Sequence, residues 1–180
     1  EAVACIQNAK MQGLNVSLET CPHYLLFNDT AYEQYGVLAK CAPPLRAKTE
    51  QHALIECLLN GEIDMIASDH SPCPPEMKGL SDKHFFQAWG GINGGQFTLL
   101  ALLEICQSYH VPFYKIARWL SENPAKRFGL ENKGKIEVGY DADFAIVSKR
   151  PFTVTKAVSY AKHKDSIYEG VTFSHSVIAT

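Results

Sequence analysis

Ile63-Asp64-Met65-Ile66-Ala67-Ser68-Asp69-His70-Ser71-Pro72-Cys73-Pro74-Pro75 decides how this 180-residue chain is read. Its first part is a short, mostly apolar run with the length of a buried parallel strand. The run stops on Ser68-Asp69-His70, and Pro72, Pro74 and Pro75 then oppose a regular strand or helix. A carboxylate and an imidazole at the carboxyl end of a buried strand, under an irregular loop, stand where α/β barrels keep their chemistry. The bland alternative is that Asp69 caps a turn and His70 is a solvated loop residue, since aspartate bonds locally in many turns.

Upstream of this stretch the same arrangement occurs once more. Residues 1–12 place apolar groups at 2, 3, 5, 6, 9 and 11, a helical face that Gly13 is placed to end. Leu14–Thr20 alternates apolar and polar as a strand does, and Cys21-Pro22-His23-Tyr24-Leu25 then reads as a proline-broken loop. Asn28 or Asp29 caps a short helix over 31–35, stopped by Gly36. Pro43-Pro44 makes an extended turn, and Thr49 is the expected N-cap of a helix to Leu59 that carries His52 as a solvated or packed residue. Helix, strand, helix, strand gives an α/β class with parallel strands.

Downstream, the connection 69–93 has the length of a lid or binding loop and closes on Gly90-Gly91-Ile92-Asn93-Gly94-Gly95. Those glycines allow close backbone approach to a ligand; the plain reading is a flexible linker. A strong amphipathic helix follows over 97–109. Pro112 starts another to about Leu120, and Asn123-Pro124 begins a short one that Gly129 ends. After Gly129 a strand near 134–138, a second through Val147, a helical turn at 156–162 and a strand at 171–178 read as a small β-rich unit. The domain division expected is therefore 1–129 for the α/β part and 130–180 for part of a small β domain.

Composition narrows the classes. The chain is 46% hydrophobic and 20% charged, with a formal charge of −2, so it has no basic field for nucleic acid or an anionic membrane. No apolar run reaches the roughly 18 residues of a membrane span. The six cysteines lie far apart without a Cys-x-x-Cys pair, which suits neither a zinc knuckle nor a disulfide scaffold. Cys5, Cys57 and Cys106 fall on helical patterns and are expected to be buried and reduced, in a cytoplasmic setting.

Several segments together resemble one family. Glu19-Thr20-Cys21-Pro22-His23-Tyr24-Leu25, Cys41-Ala42-Pro43-Pro44-Leu45-Arg46 and Ser68–Cys73 look like the cyclic amidohydrolases, which include dihydroorotases, hydantoinases and allantoinases. Asn123-Pro124-Ala125, Gly134-Lys135-Ile136, Gly139–Asp143 and Lys162–Gly170 resemble the passage from their barrel into a small β domain, in the same order and spacing. The resemblance implies the C-terminal part of a (β/α)8 TIM-barrel metal-dependent amidohydrolase. Residues 14–20 and 63–68 would be its seventh and eighth strands.

The resemblance also implies two divalent metal ions, zinc first with cobalt or manganese possible. In this family a His-x-His, a carboxylated lysine and two further histidines bind them, and Asp69 alone of that set falls in this chain. Asp69 is thereby implied as metal ligand and as the acid–base group that carries a proton from water to the leaving amide nitrogen. The resemblance gives substrate-binding roles to the backbone at Ala42 and in the segment containing Asn93, with His23 lining the pocket and not counted as a metal ligand. His70 is implied either as a group orienting the site or as a packed loop residue.

Cys73 stands where dihydroorotases carry a histidine for a substrate carboxylate, so a neutral cyclic amide fits better. Ser68–Cys73 with Ala88–Ile92 looks most like the allantoinase branch, with hydantoinase or dihydropyrimidinase second and dihydroorotase third. Some relatives of dihydropyrimidinase lose metal ligands and act as interaction proteins, which is the non-enzymatic alternative. A homo-oligomer, as a tetramer, is implied for the full-length protein. The 180 residues alone are expected to bind metal poorly and to lack turnover, because two barrel units leave open sheet edges and apolar faces.

Overall fold

In the computed structural model residues 1–80 and 85–180 are described; the part of the expected 69–93 loop at 81–84 lies outside them. Helix α1 (Ala2–Met11) ends ahead of Gly13, which takes a φ of +78°. No residue of α1 is fully buried: Val3, Ile6 and Ala9 of the apolar face are half-buried, and Cys5 is exposed, against expectation. The helix is also held by polar contacts to the turn before the second strand. Gln7 Nε2 donates to the Glu62 carbonyl at 2.5 Å, and Lys10 Nζ lies 2.7 and 2.6 Å from the Asp64 carboxylate oxygens.

Strand β1 (Glu19–Thr20) leads directly into helix α2 (Pro22–Leu26). The expected proline-broken loop is therefore a helix, because Pro22 at its first position gives up an N–H that no helix would use there. Helix α3 (Ala31–Tyr35) follows, and Asn28 Oδ1 accepts from the Thr30 N–H at 3.0 Å and from its hydroxyl at 2.8 Å. Helix α4 (Lys48–Leu59) begins after Ala47 rather than at Thr49. Its Glu50 carboxylate reaches back to the Ala47 N–H at 3.3 Å, the half of a capping box that needs no side chain on Ala47.

Strand β2 (Met65–Ile66) pairs in parallel with β1, Glu19 opposite Met65 and Thr20 opposite Ile66. Both strands are shorter than the sequence runs, since among the described residues each has the other as its only named strand partner. A further parallel bridge joins His70 to Ile92. Helix α5 (Pro75–Lys78) interrupts the long connection; Pro75 starts it for the reason that Pro22 starts α2.

Helix α6 (Thr98–Ser108) buries Leu100, Ala101, Leu102, Leu103, Ile105 and Cys106. Helix α7 (Tyr114–Ala117) and helix α8 (Asn123–Phe128) are joined by a π turn over Arg118–Glu122, so the two expected helices form one helical run. Pro124 has no N–H for the Leu120 carbonyl, and the wider turn just ahead of it absorbs that defect. Asn123 is consequently no N-cap: its Nδ2 donates to the Asp64 carbonyl at 2.5 Å.

The strand expected at 134–138 does not form; Ile136 and Val138 project into solvent without a ladder partner. Strand β3 (Ile146–Ser148) pairs antiparallel with β6 (Ser176–Ala179), and β4 (Phe152–Thr153) with β5 (Thr172–Phe173). The strand expected at 171–178 is thus two strands, split at Ser174-His175, and the helical turn expected at 156–162 is a turn at 156–158. Val154, Ile167, Tyr168 and Phe173 belong to the same apolar cluster as Leu25, Leu58, Ile66, Phe97 and Leu102. Phe97 and Tyr168 meet with ring centres 5.2 Å apart inside it. All six cysteines are free, and no helix among the described residues is long and apolar enough to cross a membrane.

Candidate active site

The site is built from two adjacent strand tips. β2 ends and three residues later Asp69 takes a φ of +44°, in the left-handed region that aspartate tolerates better than most side chains. Its carbonyl accepts from the Ser71 hydroxyl at 3.0 Å, which holds the reversal. Beside it, β1 hands over to α2 through Cys21. The Cys21 sulfur, a ring nitrogen of His23 and a carboxylate oxygen of Asp69 all lie within 4.8 Å of one another.

His23 is fully buried, and neither of its ring nitrogens has a hydrogen-bond partner among the described residues. Burial pushes its pKa down to about 4, so the ring is neutral and offers a lone pair. The Cys21 thiol is pushed up to about 12, first by burial and then by the charge of Asp69. Nitrogen, oxygen and sulfur donors converging in this way suit a divalent transition metal. A cation there would give the orphaned imidazole a partner and reverse the effect of Asp69 on the thiol.

The other candidates are distributed around these tips. His70 is exposed, and its Nδ1 accepts the Gly95 N–H at 3.0 Å, so in the neutral ring Nε2 carries the proton. A Cβ at Gly95 would lie 3.0 Å from that nitrogen, a tight contact. The Tyr24 ring lies tilted by 55° against His23 with ring centres 4.2 Å apart, and its hydroxyl donates to the Pro43 carbonyl at 2.8 Å, linking the tip of β1 to the Cys41–Arg46 turn. Ala42 is exposed on that turn, and its peptide bond to Pro43 is cis.

The residue of the glycine-rich segment that faces Ala42 is Gly90, whose Cβ position is 3.9 Å from the Ala42 Cβ and N. Asn93 is turned the other way. It is buried, its Nδ2 donates to the His163 carbonyl at 2.8 Å, and its carbonyl accepts from the Ser166 hydroxyl at 2.5 Å. Cys73 is half-buried and is no member of the Cys21–His23–Asp69 group; burial raises its thiol pKa, and the Lys78 ammonium opposes that. Sequence reasoning passed over Cys21, although Cys-x-His at a strand end was a usable signal. Gly90 it named only as one of a run of glycines able to approach a ligand, since nothing local distinguished one glycine from the next.

A strand tip bearing an acidic residue in a left-handed turn, beside a second parallel tip with its own helix, is the local build of an α/β barrel active face. The sequence model of the Amidohydrolase family matches residues 3–179, and the chain belongs to that family. Its fold is that of part of a (β/α)8-barrel amidohydrolase, as the resemblance implied.

Among curated proteins the chain is similar to an allantoinase of Bacillus velezensis, 54% identical over 179 residues, covering 99% of this chain and 39% of the relative. An allantoinase of Deinococcus radiodurans is 45% identical over 181 residues, covering 99% and 40%. Among solved structures, the L-hydantoinase (dihydropyrimidinase) of Arthrobacter aurescens superimposes with a TM-score of 0.92 at 30% identity, over 98% of this chain and 40% of that one. The dihydropyrimidinase of Brevibacillus agri gives 0.89 at 29% identity, with the same coverage. The chain thus spans about two-fifths of the length of the relatives it matches.

Proposed function

We propose that the complete protein hydrolyses a carbon–nitrogen bond of a cyclic amide, allantoin to allantoate before others, with Asp69 as metal ligand and proton carrier. The observation that carries this reading is the carboxylate of Asp69 at the tip of β2, within 4.8 Å of the Cys21 and His23 donors at the tip of β1. Allantoinases at up to 54% identity support the choice of substrate. The hydantoinase and dihydropyrimidinase structures put hydantoin and dihydrouracil next.

A divalent metal held by Asp69 supplies Lewis acidity towards water and the ring carbonyl. The carboxylate of Asp69 takes a proton from the attacking water and returns it to the ring nitrogen as the carbon–nitrogen bond breaks, so the carboxylate ends as it began. His23 stays neutral, so its ring nitrogen is open to the same cation as the Asp69 carboxylate. Ala42 and Gly90 present backbone groups to the ring amide, a mode that suits a small, neutral, amide-rich ligand better than a charged clamp. Zinc is the ion of choice. The free cysteines suit a reducing compartment, and a cytoplasmic homo-oligomer is the setting we assign.

The test is turnover of allantoin, hydantoin, dihydrouracil and dihydroorotate by the full-length protein and by its Asp69→Asn variant. Allantoin should be the preferred substrate, and the variant should lose about a thousandfold or more in kcat while keeping its fold. Turnover near the parent rate in the variant would remove Asp69 from the chemistry.

A further inference from the structure

Lys78 is the last residue of α5 and is 5% exposed, yet among the described residues no carboxylate is its hydrogen-bond partner. Its Nζ donates to three backbone carbonyls, those of Lys40 at 3.1 Å, Trp89 at 3.1 Å and Gly91 at 2.6 Å. An ammonium has three N–H groups, so all of them are used. The three acceptors come from two segments that run side by side. One leads into Ala42, and the other contains Gly90.

The segments also touch directly, through the Gly91 N–H and the Lys40 carbonyl at 3.0 Å. The Trp89 and Gly91 carbonyls have no other hydrogen-bond partner among the described residues, so Lys78 is what satisfies them. Taking an ammonium out of water costs several kcal/mol unless dipoles replace the water. Burial accordingly lowers the pKa of Lys78 from its ordinary value. Three convergent carbonyls are the replacement, and they fix the ammonium, and with it both segments, in one place.

We propose that Lys78 is a positioning residue: its ammonium fixes the Lys40–Ala42 and Trp89–Gly91 backbones against one another and thereby the place of the shared backbone edge that meets the ring amide. This rests on the cyclic-amide reading above, in which the Ala42 and Gly90 backbones face the substrate. Lys78 itself touches no reacting atom. A methionine at this place would fill the space of the stem but leave the carbonyls of Trp89 and Gly91 without a donor.

The experiment compares the full-length protein with its Lys78→Met variant by amide hydrogen exchange over residues 40–42 and 88–92, by steady-state kinetics, and by metal content. Exchange in both segments should quicken by about tenfold or more. KM should rise about tenfold with kcat held within about threefold, and bound metal should be unchanged. Exchange equal to the parent overturns the clamp. Faster exchange with an unchanged KM overturns its role towards substrate, and a parallel loss of kcat and metal reduces Lys78 to general support. Should the methionine variant not fold, Lys78→Ala with added propylammonium, which has the length of the missing side chain, gives the same decision. Restored protection and KM support the clamp, and no restoration overturns it. If the parent turns over none of the four cyclic amides, the functional reading fails, while the exchange comparison still decides whether Lys78 holds the two segments.

Discussion

Replacing Gly91 by alanine should destabilise the chain, while the same change at its neighbour Gly90 should not. A Cβ at Gly91 would lie 2.5 Å from the Ser71 hydroxyl, 2.6 Å from the Ser71 carbonyl and 2.7 Å from the Trp89 ring nitrogen. The hydroxyl can rotate away. The carbonyl cannot, because Ser71 donates its N–H to Ile92 at 3.0 Å and its carbonyl accepts from the Trp89 ring at 3.2 Å. Backbone or indole must therefore give by nearly 1 Å, on the order of the gap to an ordinary contact.

Overpacking of this kind costs about 1–3 kcal/mol. Weakening one or two of these hydrogen bonds adds about 1 kcal/mol each. The lower entropy of an unfolded chain with alanine returns roughly 0.5–1 kcal/mol. The net loss is about 2–3 kcal/mol, which for a domain of this size lowers Tm by roughly 5–10 °C. At Gly90 the new methyl would meet Ala42 at 3.9 Å, an ordinary contact, so Gly90→Ala should stay within about 0.5 kcal/mol of the parent. Thermal and urea unfolding followed by circular dichroism measure both. Equal midpoints for Gly91→Ala and the parent, or an equal loss at Gly90, would refute the packing argument.

Two other variants or reagents probe the frame around the site. Asp64 accepts from Lys10 Nζ at 2.7 and 2.6 Å and from the Leu18 N–H at 2.7 Å, so Asp64→Ala should cost about 2 kcal/mol after allowance for its partial exposure. A urea midpoint equal to the parent's would count against that hub. In a timed thiol-labelling experiment read by mass spectrometry, exposed Cys5 should react first. Cys106, fully buried and pushed up to about 11 by that burial, should react only on unfolding. Equal rates for the two thiols would contradict the packing of α6.

Much of the frame could be read residue by residue. Gly13, Gly36 and Gly129 punctuate helices where the pattern put them, because a positive φ is a property of the glycine itself. The period of Leu99–Ile105 marked α6, and the abrupt end of an apolar run at Asp69 marked a strand tip worth attention. Prolines were read less well. Pro22 and Pro75 open helices rather than break the chain, and Pro124 sits in a continuing helical run behind a π turn. Proline forbids an N–H bond, but whether that N–H was needed depends on what lies ahead of it in space.

The remainder was settled between residues far apart in the chain. Cys21 and His23 meet Asp69 because two strands lie in parallel register, and Asn93 turns from Ala42 because His163 and Ser166 take its polar atoms. Lys78 became a clamp only when the segments at Lys40 and Gly91 came together around it. Local sequence fixes dihedral preference and periodicity, which act over a few residues. Which polar atoms are left facing one another in the dry interior depends on how whole elements pack, and no short stretch carries that information.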